Sequence, residues 1–419
     1  MAFPRGSENE AEQSSTLVSG DVRRHNLSVV ARFLLENQAA SRSQIAKGTG
    51  LTRGSVTALT ALMLESGLIS EAEPKTPSGV VQENAKGKGR PLTLLALAAD
   101  HVAILVLQLD ADKVTGLLTT LAGEPLLRMA QSHGRPMGQP EPILDQLAAV
   151  FGQLVDAARA LGRSLVDVTV VVFAPVGGEP AVVLADTDLG WWSVDVLAGL
   201  RRRDPRLPDF ARLVPDSILA AQAELDLLPD VQDLIYMKSN SGIGGAIISG
   251  GIAIEGAHKL AGALGHLPLV PGGELCGCGQ HGCLVTVAGP DAILAAAGLT
   301  DILIRDGLTA ALSELTTRIL AGEPRATAAW DTAVEWICRA LQILAMSFDP
   351  QIIVLGGYWA HLAHTVKERL EQGWPQPMSG QLWVGPTVVA GQLADDAALF
   401  GAVRDARDRA LMDPLKISI

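Results

Sequence analysis

At the front of the chain, apolar residues recur with helical spacing. Leu27, Val30, Ala31 and Leu34 repeat at three- and four-residue intervals, which predicts a helix over Asn26–Glu36. A short second helix is predicted over Arg42–Lys47, with Ser41 as its cap, Gln44 three residues on, and a stop at Gly48 and Gly50. Thr52 opens a third helix running to about Ser66, with Val56, Leu59, Leu62 and Met63 as its buried stripe. Its opposite face carries Arg53, Ser55, Thr57 and Thr60. Two helices joined by a tight glycine-containing turn make a helix-turn-helix unit, and Gly67-Leu68-Ile69 leads into a two-stranded wing. Residues 1–20, rich in Ser, Glu and Gly, read as a disordered leader.

Behind a loop-like stretch that ends Lys86-Gly87-Lys88-Gly89-Arg90-Pro91, the periodicity changes. Short apolar runs predict strands at Leu92–Ala98, Val102–Leu109, Val114–Leu121, Val168–Phe173, Ala181–Ala185, Asp233–Met237, Gly245–Ile248 and Gln351–Leu355. Helical stretches lie between them, among them Pro142–Leu161 and Ser217–Leu227. This is an α/β texture, long enough for two consecutive lobes. The expected plan is a mainly α winged helix-turn-helix over 21–80, a linker and wing over 81–95, a first lobe over 96–215 and a second over 216–419. The C-terminal helix is expected to pack back towards the head.

Composition narrows the class. Of 419 residues, 48% are apolar and 19% charged, which excludes a largely disordered chain. No run of apolar residues is long enough for a membrane span, and the polar first residues lack a secretory h-region. A cytoplasmic location with no membrane partner is the expectation. The net charge of -12 is unevenly spread: residues 1–95 hold 11 Lys/Arg against 9 Asp/Glu, and residues 96–419 hold 22 against 36. A mildly basic front on an acidic bulk suggests a separate DNA-contacting head. Its candidate contacts are Ser43, Gln44, Arg53, Ser55 and Thr57 from the helices, because the N-terminal end of a recognition helix enters the major groove. Lys88 and Arg90, on an extended side-chain-poor strand, are suited to a minor groove.

The sharpest chemistry is His266 followed by Cys276-Gly277-Cys278-Gly279-Gln280-His281-Gly282-Cys283. Cys-x-Cys-x4-Cys sets three soft thiolates in one glycine-rich knuckle. With His266 they would close a tetrahedral, structural Zn2+ site, one ion per chain. A redox cysteine cluster, or His281 as fourth ligand, remains open on spacing alone. Four cysteines, three of them in this knuckle, do not make a disulfide framework in such a chain. Cys338, alone in a helical stretch, reads as a core residue.

The winged helix, the Gly-Lys-Gly-Arg-Pro linker and Ala261-Gly262-Ala263-Leu264-Gly265-His266 with its cysteine knuckle resemble the ROK family of repressors, open reading frames and sugar kinases. Ser241-Gly242-Ile243-Gly244-Gly245, Leu355-Gly356-Gly357 and Ala398-Leu399-Phe400-Gly401-Ala402 add to the resemblance, which spans roughly residues 25–405. It implies an actin-like, ribonuclease H-like two-lobed domain, with a sugar in the cleft of kinase members. Members with a winged helix in front resemble sugar-responsive repressors that form dimers or tetramers.

Departures from the family pattern point away from catalysis. The kinases' Asp-x-Gly-Gly-Thr hairpin, whose glycines admit ATP phosphates, is here Asp110-Ala111-Asp112-Lys113-Val114. The family's Asn-Asp appears as Pro215-Asp216, and Asp216 is either a general base or a helix cap. Two sugar-gripping glutamates are replaced by Ala263 and Val285, and the Pro-Gly-Pro loop reads Phe173-Ala174-Pro175. No catalytic residue is therefore assigned. The expected protein is a ROK-type regulator, a repressor by family default, with an operator DNA partner and a sugar-related effector near Ala174, Asp216, Ala263, His266 and Val285. Loss of the glutamates implies a less acidic pocket. A sugar kinase carrying an appended head is the alternative.

Overall fold

The computed structural model describes residues 8–72, 93–373 and 385–417. At the front, α1 (Glu8–Asn37), α2 (Arg42–Thr49) and α3 (Arg53–Glu65) enclose Leu27, Val30, Leu34, Ile45, Val56, Leu59 and Met63. A two-stranded antiparallel ribbon follows, β1 (Ile69–Ala72) with β2 (Leu94–Leu97), and Ala40 extends it by pairing with Leu95. The second helix starts as the sequence reads: the Ser41 hydroxyl accepts from the Gln44 amide, while the Gln44 side chain accepts from the Ser41 N–H at 2.9 Å. Gly50, at φ 72°, ends it in the left-handed region that favours glycine.

Three expectations are corrected here. The first helix begins at Glu8 and takes in most of the segment read as a disordered leader. Glu, Ala and Gln are good helix formers, and elongating a helix already anchored by a buried face needs no new nucleus. Thr60 is fully buried, off the open face of α3, where its hydroxyl donates to the Val56 carbonyl and accepts from Arg42 Nε at 2.9 Å. The strand expected over Leu92–Ala98 pairs with β1 through Leu94–Leu97, so the ribbon runs two residues past the boundary expected at residue 95.

The first lobe comprises β3 (Val102–Leu109), β4 (Lys113–Thr119), β5 (Pro125–Ser132), α4 (Pro140–Ala160) and β6 (Ser164–Val172). It continues with β7 (Val176–Gly177), β8 (Val182–Asp186), β9 (Trp191–Val194), α5 (Val196–Arg203) and β10 (Arg212–Pro215). After α6 (Asp216–Asp226), the second lobe supplies β11 (Leu234–Ser239), β12 (Ile243–Ser249), β13 (Ile252–Ala253), α7 (Val285–Ala288), α8 (Pro290–Ala297), α9 (Thr300–Asp306), α10 (Leu308–Leu320) and α11 (Pro324–Phe348). It ends with β14 (Ile352–Gly357), α12 (Ala363–Gly373) and β15 (Thr387–Ala390), and α13 (Ala397–Met412) closes the chain.

The two principal sheets, β5-β4-β3-β6-β10 and β13-β12-β11-β14-β15, share one topology. In each, two antiparallel strands flank one side of a central strand and two parallel strands flank the other. Such a duplication is invisible as sequence periodicity, because only the hydrophobic pattern of each strand is repeated. A small sheet, β7-β8-β9, stands on the first lobe.

Between the lobes lie α6 and α13, pressed together where Gly401 meets the Leu219 carbonyl; a Cβ there would come within 2.1 Å of that oxygen. Although α13 lies within the expected second lobe, it packs on β3 and β6 of the first. Arg409 pins it there, with its guanidinium donating to Asp167 at 2.9 and 3.1 Å. The same helix meets α1, where Arg32 donates to the Asp408 carboxylate at 2.5 Å and to its carbonyl at 3.2 Å. Among the described residues no single helix is long and apolar enough to cross a membrane.

Candidate functional site: a cysteine knuckle beside an inter-lobe cleft

A tight turn over Leu264–His266 delivers His266 to the knuckle. Gly265 is required there, because a Cβ would stand 2.4 Å from the Ile243 carbonyl. The knuckle folds through Cys276 N–H to the Gln280 carbonyl (2.8 Å) and Gly279 N–H to the Cys276 carbonyl (2.9 Å). Gly282, at φ 73°, lets Cys283 return beneath them; any side chain there would strike the Val270 carbonyl. One ligand atom each from His266, Cys276, Cys278 and Cys283 lies within 4.8 Å of all the others. Cys276 Sγ is 3.5 Å from His266 Nδ1, and Cys278 Sγ is 3.6 Å from Cys283 Sγ. A tetrahedral ion with bonds of about 2.0–2.3 Å sets its donors roughly 3.5–3.8 Å apart, so the donor set fits a closed site. Burial pushes the Cys276 thiol up and the Cys283 thiol up to about 12, so thiolate there calls for a cation. His281 is exposed, and its Nδ1 faces the Gly273 carbonyl at 3.0 Å. Cys338 is buried, its thiol directed at the Val366 carbonyl.

His266 also faces the cleft. With Ala174, Asp216 and Val285 it lines an inner cavity of about 70 Å³. That cavity continues into a cleft of about 800 Å³, whose walls include Ala174, Asp216, Ala263 and His266. All five positions matched to the family's sugar site thus share one space. Asp216 begins α6, is 4% exposed, and accepts from the buried Lys238 ammonium and, at 2.9 Å, from the Ser217 hydroxyl. It makes no side-chain cap, so of the two sequence readings the helix cap is not the one adopted.

Lys238 was missed, although a lysine inside the apolar run Leu234–Ser239 was a signal that it had a buried partner. Asp186, the last residue of β8, and Asp188, in the turn that follows, were missed as well, and both line the inner cavity. These two carboxyls reach the cavity from a part of the chain outside the motif positions, so reading those positions alone could not reveal them. Burial raises Asp186 to about 6 and Asp188 to about 7, with the neighbouring Asp186 charge adding to the rise at Asp188.

On the other side of the interlobe layer a cavity of about 670 Å³ is bounded by Gln108, Asp110, Asp112, Ser241, Thr309 and Tyr358 among others. Asp112 reaches across it to the start of α10, accepting from Thr309 N–H at 3.0 Å and from its hydroxyl at 3.3 Å. Arg128 bridges the lobes in the same region with two hydrogen bonds to Asp396, at 2.8 and 2.6 Å. Arg135 does likewise to Asp291, at 3.2 and 3.1 Å. Charged side chains of the protein itself therefore hold the hairpin wall of this cavity to the opposite lobe.

Residues 105–409 match the model of the ROK family. The chain belongs to the ROK family. A xylose repressor of Caldicellulosiruptor bescii is 22% identical over 390 residues, spanning 90% of this chain and 94% of that protein. Among solved structures, a ROK family transcriptional regulator that is a homologue of the E. coli MLC protein covers 94% of this chain and 98% of its own, at 22% identity and TM-score 0.69. A ROK family glucokinase from Streptomyces griseus, in complex with glucose and AMPPNP, covers 73% of this chain and 99% of its own, at 24% identity and TM-score 0.60. These likenesses establish the two-lobed, actin-like sugar-kinase fold of the ROK domain.

On the N-terminal module, Arg53 and Thr57 stand exposed on α3, and Ser43 and Gln44 on α2. Ser55 is half-buried, its hydroxyl 2.9 Å from that of Thr52. The Thr57 hydroxyl donates to the Arg53 carbonyl, and the Gln44 amide oxygen is held in its capping box. Lys88 and Arg90 lie outside the described residues.

Proposed function

We infer that this protein is a DNA-binding transcriptional repressor of ROK type whose operator occupancy answers to a carbohydrate. The observation that carries the reading is how much of the chain each relative spans: the xylose repressor aligns along 90% of this chain, whereas the glucokinase leaves 27% of this chain unmatched while using 99% of its own length. In this reading α1–α3 and the β1–β2 ribbon are a winged helix-turn-helix, with α3 as the recognition helix in the major groove. Arg53 and Thr57 offer base or phosphate contacts; Ser43 and Gln44 face the backbone, and Lys88 and Arg90 enter the minor groove. A symmetric dimer, or a tetramer built from dimers, would impose its two-fold axis on a palindromic operator. The place of action is the cytoplasm, where the DNA is.

Zn2+ would be held by His266 through Nδ1 and by Cys276, Cys278 and Cys283. With four protein donors it leaves no open position and acts structurally, tying the Leu264–His266 turn to the knuckle. Ala174, Asp216, Ala263, His266 and Val285 form the effector site, with Lys238 holding the Asp216 carboxylate in place.

The test uses full-length protein and random-sequence duplex DNA. Repeated selection should enrich a palindrome, and Arg53→Ala should weaken binding to it by roughly 1–3 kcal/mol if Arg53 reads a base, less if it touches phosphate. Failure to enrich any sequence would overturn the reading. Independently, the protein should transfer no phosphate from ATP to hexoses, because Asp112 and Lys113 replace the hairpin glycines and Asp112 is engaged at α10. ATP-dependent sugar phosphorylation abolished by Asp216→Asn would favour the kinase alternative.

A further inference from the structure

The cleft holds more space and a different chemistry than one sugar ring requires. Its inner cavity opens past Ala174, Pro175 and Gly244, residues shared by both volumes, into the cleft of about 800 Å³. Volumes of about 300–1,000 Å³ are those of sites for drug-sized ligands, well beyond a single pyranose. The short side chains of Ala263 and Val285, in place of two glutamates, leave this passage wide. On the first-lobe wall stands Trp192, 62% exposed, next in sequence to the buried Trp191 and paired across the sheet with Ala185. On the second-lobe wall stands Leu260, 52% exposed. A large indole left open inside a cleft offers a flat apolar face, which suits the C–H face of a sugar ring whose hydroxyls point to its rim.

Charge selects further. The lysines of the cleft are committed, Lys238 to Asp216 and Lys259 to Glu255. The inner end presents the carboxyls of Asp186 and Asp188, together with His266; the nearby Arg135 guanidinium is committed to Asp291 and Asp188, so among the described residues no cation there is left free for an anionic ligand. Arg212 lies at the outer cleft, where Asp405 also contributes to the lining. Such a lining accepts hydroxyl hydrogens and repels a phosphate.

We propose that the effector is an uncharged di- or oligosaccharide, with its terminal unit against Asp188, Asp216 and His266 and its next unit stacked on Trp192. This rests on the reading of the cleft as the effector site. Titration calorimetry of the full-length protein would compare cellobiose, xylobiose, maltose and sucrose with glucose, xylose and glucose 6-phosphate. At least one disaccharide should bind about tenfold more tightly than its own monosaccharide and than the phosphate. Trp192→Ala, which removes an exposed side chain and spares the core, should lower the ratio of disaccharide to monosaccharide affinity by about tenfold. A monosaccharide binding as tightly as its disaccharide, or a ratio untouched by Trp192→Ala, would overturn the proposal while leaving the effector site standing. Binding of glucose 6-phosphate above all others would overturn it too. No carbohydrate of either size binding would overturn the effector reading itself.

Discussion

Cys278→Ser protein is expected to emerge from purification without its metal and to unfold on the order of 10 °C below the parent. The knuckle has little else to hold it: Cys278 is partly exposed, and the surrounding backbone is joined by a few turn hydrogen bonds. Loss of a structural ion belongs to the short group of single changes that cost more than about 4 kcal/mol. Metal analysis and calorimetric melting together check this. His281→Ala is the control, since its ring faces the Gly273 carbonyl, away from the four-donor cluster; it should keep a full complement of metal. Equal metal loss in both variants, or full retention in Cys278→Ser, would show the ligand set to be wrong. Because His266 belongs to both the knuckle and the cleft wall, chelation should also weaken ligand binding.

A second large effect is expected at Lys238→Met. Lys238 and Asp216 are both buried and bonded to each other, and the methionine keeps the bulk while leaving a carboxylate in the protein interior with only the Ser217 hydroxyl. Breaking a buried pair from one side costs about 3–5 kcal/mol. Adding Asp216→Asn should recover most of the loss, and denaturant melts of the two single variants and the double variant give the coupling. A Lys238→Met protein as stable as the parent at pH 8 would show that water or another group compensates Asp216.

The interlobe contacts give this regulator a cleft held by its own side chains. In the cavity bounded by the first hairpin, Asp112 bonds to the start of α10 and Arg128 to Asp396, so protein groups join the lobes across it. The C-terminal helix connects that closure to the head, because α13 lies on α6 and the first sheet and also meets α1 through Arg32 and Asp408. A rearrangement around Asp216 at the start of α6 therefore has a continuous packed path to the N-terminal module.

Local signals in the sequence determined much of this protein. The caps at Ser41 and Thr52, the glycine stop at Gly50 and the three-four spacing of Val56, Leu59 and Met63 act within one or two turns, so they can be read without knowing the fold. The knuckle was legible for the same reason: Cys276, Cys278 and Cys283 lie within eight residues, and their spacing is itself the geometry. What tertiary structure alone decided depends on residues far apart in the chain. It set His266, rather than His281, beside the three thiols, buried Thr60 beneath Arg42, and laid α13 on the first lobe because Arg409 finds Asp167 there. It also lined the inner cavity with Asp186 and Asp188, and brought Lys238 to Asp216 from the neighbouring sheet. Burial and pairing are properties of the closed three-dimensional surface, and no pattern confined to one strand or helix encodes which distant side chain will complete it.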